Sequence, residues 1–415
     1  MSCYWLQDQV PRGSKKDTPS SQRQIDTLFG TDLNYIQDID NIWRNRFQKS
    51  EIFSGKDING ELITTIEAEL LKERIQKLNQ EFQTDMLQYN TTVHAAVESY
   101  LRMGKHLGNV FALAEFYFPL FEKILSKYNI PKELKYLAIV ESNLNAKATS
   151  RTGAQGLWQF MPQTGRLYAL QKTEIYDDRN DPIKATEAAC QYLKDLYDRI
   201  GDWALVLASY NAGPGTIERA LQHSGSKKDF WSLQSYLPIE TRNYVPKFIA
   251  VSYVLNYYKE HNILPEQSHL KYDQTELIPV NKKVSLNLLA QELNLSREKL
   301  NFLNPQYFLG IVPEGGQFLL RLPKDKIALF EQKEKALYDQ GKNLTDPILN
   351  PKRQKKKLKK VKKRKILLAS SKSQKKEKNK PLSRKTKKTN NKAPKIEQTK
   401  RLQNFIKKKA RPPLE

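Results

Sequence analysis

The feature that most constrains this chain is a break in its charge. From Pro351 to Glu415 there are 28 lysines and arginines against three acids, Glu377, Glu397 and Glu415. The whole chain of 415 residues carries 70 basic and 45 acidic side chains, so residues 1–350 are left with 42 of each. The formal charge of +25 therefore belongs to the tail, and the body is neutral. A neutral body excludes a globular surface built around a polyanion. The tail has a single aromatic residue, Phe405, and long Lys, Ser, Asn and Gln runs. It cannot bury enough apolar area to offset its chain entropy, so 350–415 is expected to be disordered. It can attract an anionic surface nonspecifically. Without interleaved aromatics it has no platform for stacking bases, and no specific nucleic-acid partner is expected.

The neutral body divides further by periodicity. Residues 1–30 are polar and expected to be disordered, and 31–92 read as a weakly helical N-terminal region in which Ile66, Leu70, Leu71, Ile75 and Leu78 recur at helix spacing. Residues 93–265 read as an almost wholly helical domain. Pro131 opens one helix, Asp181-Pro182 caps another, Trp203 to Tyr210 forms a third stopped by Gly213-Pro214-Gly215, and Pro246 to Tyr258 a fourth. Residues 275–325 change texture to a βααβ unit, with strands near 276–280 and 318–322. Its Leu286, Leu289, Leu293, Leu300 and Leu303 are expected to make a small core independent of the helical domain.

Two cysteines, Cys3 and Cys190, and five scattered histidines give neither a disulfide framework nor a metal cluster. Asp177-Asp178-Arg-Asn-Asp181 is acidic, but its spacing misses a calcium loop and Asp181 has a capping role. No metal is expected. The longest apolar stretch, Phe111 to Phe121, is broken by Glu115 and Pro119 and is too short to cross a bilayer. No basic stretch precedes an apolar core at the N-terminus, so no signal peptide is visible; read literally, that says cytoplasm.

Three places could carry chemistry. Glu141-Ser142 closes the apolar run Tyr136 to Val140, and a carboxylate at the end of a buried helix has its pKa raised, as a general acid needs. A capping or ion-paired glutamate fits the same position. Gly153 to Met161 holds two glycines that free the backbone, with Trp158, Gln159 and Met161 placed either to line a groove or to face the core. Tyr210-Asn211-Ala212-Gly213 sets a hydroxyl and an amide at a helix C-terminus, where an ordinary cap is the plain alternative.

Taken together, Glu141-Ser142, Gly156-Leu-Trp-Gln159, Ala208-Ser-Tyr-Asn-Ala-Gly213 and Glu240-Thr-Arg-Asn-Tyr244 resemble the soluble-lytic-transglycosylase (SLT) catalytic domain, within it the D-type group of membrane-bound lytic murein transglycosylases. The resemblance runs from about Tyr117 to Leu264. Residues 276–323 are similar to a degenerate LysM module. The resemblance implies a mainly α fold: a goose-type-lysozyme-like catalytic domain, then a small peptidoglycan-binding βααβ domain, with disordered termini. It also implies cleavage of the β-1,4 bond between N-acetylmuramic acid and N-acetylglucosamine, with Glu141 as the single acid and base and no cofactor. The muramyl C6 hydroxyl then replaces water and gives a 1,6-anhydro end.

By the same resemblance Ser142 would orient Glu141, and Tyr210 would lie near its carboxylate. Asn211 and Gln159 would bind sugar or acetamido groups, Met161 and Trp158 would form an apolar wall, and Glu240 and Tyr244 would lie near the groove or the stem peptide. Trp158 replaces the commoner Met, and Ser209 stands where Ala is usual. The implied location is the cell envelope, periplasm or outer membrane. The alternatives are a goose-type hydrolytic muramidase, with Asp177, Asp178 or Glu240 as the second carboxylate it would need, and a catalytically weak peptidoglycan-binding protein. A cytosolic nucleic-acid-binding protein finds support only in the tail and the missing signal.

Overall fold

A computed structural model describes residues 53–54, 62–104, 107–225 and 229–342. The expectations for residues 1–30, for most of 31–61 and for the Lys-rich 350–415 lie outside the described residues. Thirteen α-helices and six short strands follow among those described: α1 (Ala68–Phe82), α2 (Thr91–Arg102), α3 (Gly108–Lys127), α4 (Leu137–Ser142), α5 (Pro162–Leu167), α6 (Pro182–Ile200), α7 (Trp203–Ala212), α8 (Pro214–His223), α9 (Phe230–Leu233), α10 (Ile239–Asn256), α11 (Leu286–Glu292), α12 (Arg297–Leu303) and α13 (Ile327–Lys342). The strands are β1 (Phe53–Ser54), β2 (Gln267–Ser268), β3 (Thr275–Pro279), β4 (Val284–Ser285), β5 (Ile311–Val312) and β6 (Leu319–Pro323).

The helical body is wrapped around α7, whose residues 204–209 are all buried. Asp202 starts it by accepting from the Leu205 amide at 2.7 Å, and Gly213, at φ 83°, ends it. The central partner is α10, which packs along α2 and α7. Sequence pattern puts a helix start at Pro246, yet α10 begins at Ile239 and runs straight through that proline. An interior proline costs about 3 kcal/mol of helix propensity, but Pro246 is buried among apolar neighbours that supply the offset. The extra two turns carry Thr241 and Tyr244 into the body. Pro119 is likewise interior to α3.

The second unit pairs β3 with β6 in antiparallel register, Glu276 opposite Leu322, and β4 with β5, around α11 and α12. It extends past residue 325, because Phe330, Leu337 and Tyr338 of α13 join the same core as Leu286, Leu289, Leu293 and Leu300. Leu303 departs from expectation. It belongs to the core of the helical body, where its neighbour Phe302 lies against Phe116 and Tyr117, with ring centroids 4.9 and 5.8 Å away. Arg321 of β6 is also buried at this junction. It stacks 4.3 Å over the Tyr272 ring, donates to the Tyr272 hydroxyl at 2.6 Å and donates to Thr275 Oγ1 at 2.9 Å. The unit therefore keeps a core of its own and is docked on the helical body through α12 and Arg321. The apolar side of α12 has two surfaces to cover, and the helical body covers one.

Phe302→Ala should lower global stability toward the low end of the roughly 3–5 kcal/mol seen for buried Phe→Ala changes, since the ring is only partly buried. Denaturant unfolding of the full chain measures this, and a change confined to the second unit would show that the junction carries no load.

A relay near the body's edge gives a pH dependence. Arg74 donates to the Tyr253 hydroxyl at 2.8 Å, and His261 contacts that hydroxyl through Nε2 at 2.8 Å and the Ile63 carbonyl through Nδ1 at 3.0 Å. A carbonyl only accepts, so Nδ1 carries the proton and Nε2 accepts from Tyr253. Burial, reinforced by Arg74, lowers the His261 pKa below its usual 6.5. The fold thus holds neutral histidine, while the unfolded chain gains a proton as pH falls through about 6.5. Stability is present above that value and declines below it. Wild-type melting temperature should fall from pH 7 to pH 5.5 more steeply than that of His261→Gln, whose amide can make the same two bonds; parallel curves would contradict the relay.

Candidate active site

Glu141 sits in the last turn of the short helix α4 and is buried, at 8% exposure. Two consecutive left-handed residues, Asn143 at φ 50° and Leu144 at φ 60°, stop the helix directly after Ser142. Left-handed backbone is unfavourable for a bulky side chain, and the complete burial of Leu144 holds it there. The Tyr244 hydroxyl, from α10, donates to Glu141 Oε1. A buried carboxylate needs such a donor, because an unpaired polar group in the interior is costly. Sequence reasoning put Tyr244 near the groove; the structure makes it the hydroxyl that touches the carboxylate.

Tyr210 stands beside Glu141 but spends its hydroxyl differently, donating to the Trp158 carbonyl at 2.7 Å. Burial first, and then the negative charge of Glu141, hold its pKa well above the ordinary tyrosine value. It remains a donor at any physiological pH. Ser142 Oγ lies 2.9 Å from the carbonyls of both Ala138 and Leu157, so it ties α4 to the Gly153–Met161 loop. Asn211 Oδ1 accepts from Thr241 Oγ1 at 2.9 Å, joining α7 to α10. Gln159 is buried at φ 46° and donates to the carbonyls of Gly156 at 2.8 Å and Ala148 at 3.3 Å. Met161, partly exposed, caps α5, and its sulfur lies 3.9 Å from Thr152 Oγ1. Glu240, partly exposed, lies in the first turn of α10, one turn before Tyr244.

The four sequence stretches thus converge on one carboxylate. Residues 119–232, which hold three of the four stretches, match the transglycosylase SLT domain, and residues 274–339 match the LysM-like domain of lytic transglycosylase MltD. This chain carries an SLT domain followed by an MltD LysM-like domain. The SLT match falls within the helical body.

Membrane-bound lytic murein transglycosylase D of Escherichia coli K12 is 36% identical over 222 residues, 52% of this chain and 48% of that protein. Soluble lytic murein transglycosylase of the same strain is 30% identical over 164 residues, 38% of this chain and 25% of that protein. The chain spans about half the length of the first of these relatives. A crystal structure of the 70 kDa soluble lytic transglycosylase SLT70 from Escherichia coli aligns with a TM-score of 0.34 at 23% identity, covering 60% of this chain and 38% of that one.

Within the SLT domain, Trp158 requires a correction. It is fully buried, packs on Phe121 at 5.2 Å and donates its Nε1 proton to Thr186 Oγ1 at 2.9 Å. It is a core anchor for its loop and forms no groove wall. The indole finds both its apolar surroundings and its polar partner inside. Asp177 and Asp178 also face inward, and each is matched by a cation: Asp177 with Arg179 at 2.7 Å, Asp178 with Lys184 at 2.9 Å.

Sequence reasoning missed Arg179 altogether. It is buried at 3% exposure, takes both oxygens of Asp177 through Nε and Nη2, and donates through Nη1 to the carbonyls of Gly153 at 2.8 Å and Phe160 at 3.0 Å. The available signal was a lone arginine among three aspartates in the polar run 177–181.

Gly156 pins the loop from the other side. Its φ is 83°, and a Cβ there would stand 1.8 Å from the Arg179 carbonyl oxygen. Gly153, at φ 92°, has open space around a Cβ. Gly153→Ala should cost only left-handed strain of about 1–2 kcal/mol, whereas Gly156→Ala should exceed about 4 kcal/mol or prevent folding. Paired thermal melts test this, and equal losses would mean the loop relaxes away from Arg179.

Proposed function

We propose that the chain is a peptidoglycan lytic transglycosylase that cleaves the β-1,4 bond between N-acetylmuramic acid and N-acetylglucosamine, with Glu141 as its one acid and base. The observation that carries this reading is a single buried carboxylate, gripped on one oxygen by Tyr244, at the meeting point of all four motif stretches. Tyr244 holds the carboxyl group in place while it exchanges one proton. Protonated Glu141 gives that proton to the glycosidic oxygen; as carboxylate it then takes the proton of the muramyl C6 hydroxyl, which closes on C1 to a 1,6-anhydro ring.

An intramolecular hydroxyl has a high effective concentration, and the route asks for no second carboxylate. The commitment of Asp177 and Asp178 to Arg179 and Lys184 removes two of the three candidate second carboxylates, which supports the one-carboxylate route. Met161 and Glu240, both partly exposed, are proposed to face the glycan and its stem peptide, and Tyr210, Asn211, Gln159 and Ser142 to hold the frame from behind. The substrate places the protein at the cell envelope. There the LysM-like domain would hold glycan strands, and the basic tail would add salt-sensitive contact with anionic surfaces.

Sacculus digests by the full chain should yield anhydromuramyl ends by mass spectrometry; only reducing ends, one water heavier, would assign it instead to the hydrolytic muramidases. Glu141→Gln keeps shape and removes proton transfer, an effect worth roughly 10²–10⁴-fold. It should fold and nearly cease cleavage. Tyr244→Phe, which leaves the carboxylate in place without its donor, should lose less, about tenfold, within the range of one hydrogen bond to a charged group. Near wild-type turnover by Glu141→Gln would rule out the assignment.

A further inference from the structure

The LysM-like domain does more than sit beside the SLT domain; it reaches the loop behind Glu141 through a continuous line of contacts. The segment 171–178 leaves the helical body and inserts Tyr176 into the core of the LysM-like domain, where its ring meets Phe318 at 5.2 Å. The next residue, Asp177, donates its amide to the Gln306 carbonyl of that domain at 3.1 Å. Its carboxylate then holds Arg179 at both oxygens, and Arg179 holds the carbonyls of Gly153 and Phe160 at the two ends of the site loop. Inside that loop, the Leu157 carbonyl accepts from Ser142, the neighbour of Glu141, and the Trp158 carbonyl accepts from Tyr210.

A guanidinium with four directed bonds is a rigid strut, because its donors lie in one plane at fixed angles. Asp177 has its backbone in the grip of one domain and its side chain aimed at the loop of the other. We infer that the LysM-like domain is a positioning element of the catalytic centre, acting through Tyr176, Asp177 and Arg179 to set the loop that backs Glu141 and Tyr210.

This inference rests on the reading of Glu141 as the acid, and it assigns Asp177 and Arg179 as positioning residues. Loosening the strut should slow chemistry while leaving the substrate surface intact, so kcat should fall and KM should hold. A misplacement of the order of 1 Å can cost up to about 10²-fold in rate.

The test uses the full chain as wild type, Phe318→Ala, Arg179→Lys and the double variant, with a short soluble glycan oligomer as substrate so that capture on a surface plays no part. Arg179→Lys keeps charge and removes the fork. Phe318→Ala acts only from the LysM-like side, and Phe318→Leu replaces it if the alanine variant does not melt cooperatively. Asp177→Asn, which keeps the backbone bond to Gln306, should reproduce the Arg179→Lys behaviour.

Amide hydrogen exchange over residues 153–161 should quicken in both single variants. In each, kcat should drop about tenfold with KM within about twofold, and the double variant should be no worse than the poorer single one, as residues acting through one strut are non-additive. Unchanged exchange in Phe318→Ala, or losses that multiply in the double variant, would overturn the inference. If the wild type makes no anhydromuramyl ends, the reading of Glu141 fails, while the exchange data still decide whether the LysM-like domain holds the loop.

Discussion

A carboxylate kept in the interior of a protein sets terms for everything near it. Glu141 has left water, so a donor must meet it, and the backbone that presents it must not move. Tyr244 is that donor, and it reaches Glu141 only because α10 runs unbroken through Pro246 from a start at Ile239. On the other side, the left-handed pair Asn143-Leu144 ends α4 at the residue after Ser142 and keeps the carboxylate in the final turn. Both features cost local stability. Both are sustained by complete burial of the side chains involved, Leu144 and Tyr244 among them.

Around this centre the polar residues form successive layers, and few of them are spent on solvent. Ser142 and Tyr210 hold consecutive carbonyls of the site loop, Thr241 holds Asn211, and Arg179 holds the loop's two ends. The loop therefore has its shape imposed from α4, α7 and the 177–180 turn at once. Such a frame is polar inside an apolar domain, which demands that its members be satisfied. Arg179 alone meets four acceptor contacts. The junction with the LysM-like domain follows the same rule, with Arg321 stacked on Tyr272 and bonded to Thr275.

Much of this is legible in the sequence alone. Asp181-Pro182 and Asp202 cap the helices that follow them, because a carboxylate before a helix accepts its free amides whatever lies around it. The two outer strands of the βααβ unit fall within a residue of their patterns, while β4, β5 and α13 have no counterpart in them. Glu141, Tyr210, Asn211, Gln159 and Tyr244 do come together in one region. What local spacing does not fix is the direction of individual side chains. Trp158 turned inward to Thr186, Tyr244 turned to the carboxylate, and Leu303 left its own small domain for the core of the larger one. Pro246, a helix breaker by local rules, is an interior residue of the helix on which the site depends.

The sequence by itself determined the caps, the helical periods, the neutral body with its separate basic tail, and the set of polar residues able to serve one acid. These depend on chemistry within a few residues, where spacing along the chain is also spacing in space. Only the tertiary structure decided which hydroxyl meets Glu141, that Arg179 spans the ends of the site loop, and that Tyr176 belongs to the core of a domain more than a hundred residues further along. Those contacts join segments far apart in the chain. Their choice among several chemically equal partners rests on which groups burial leaves within reach of one another, and no local pattern records that.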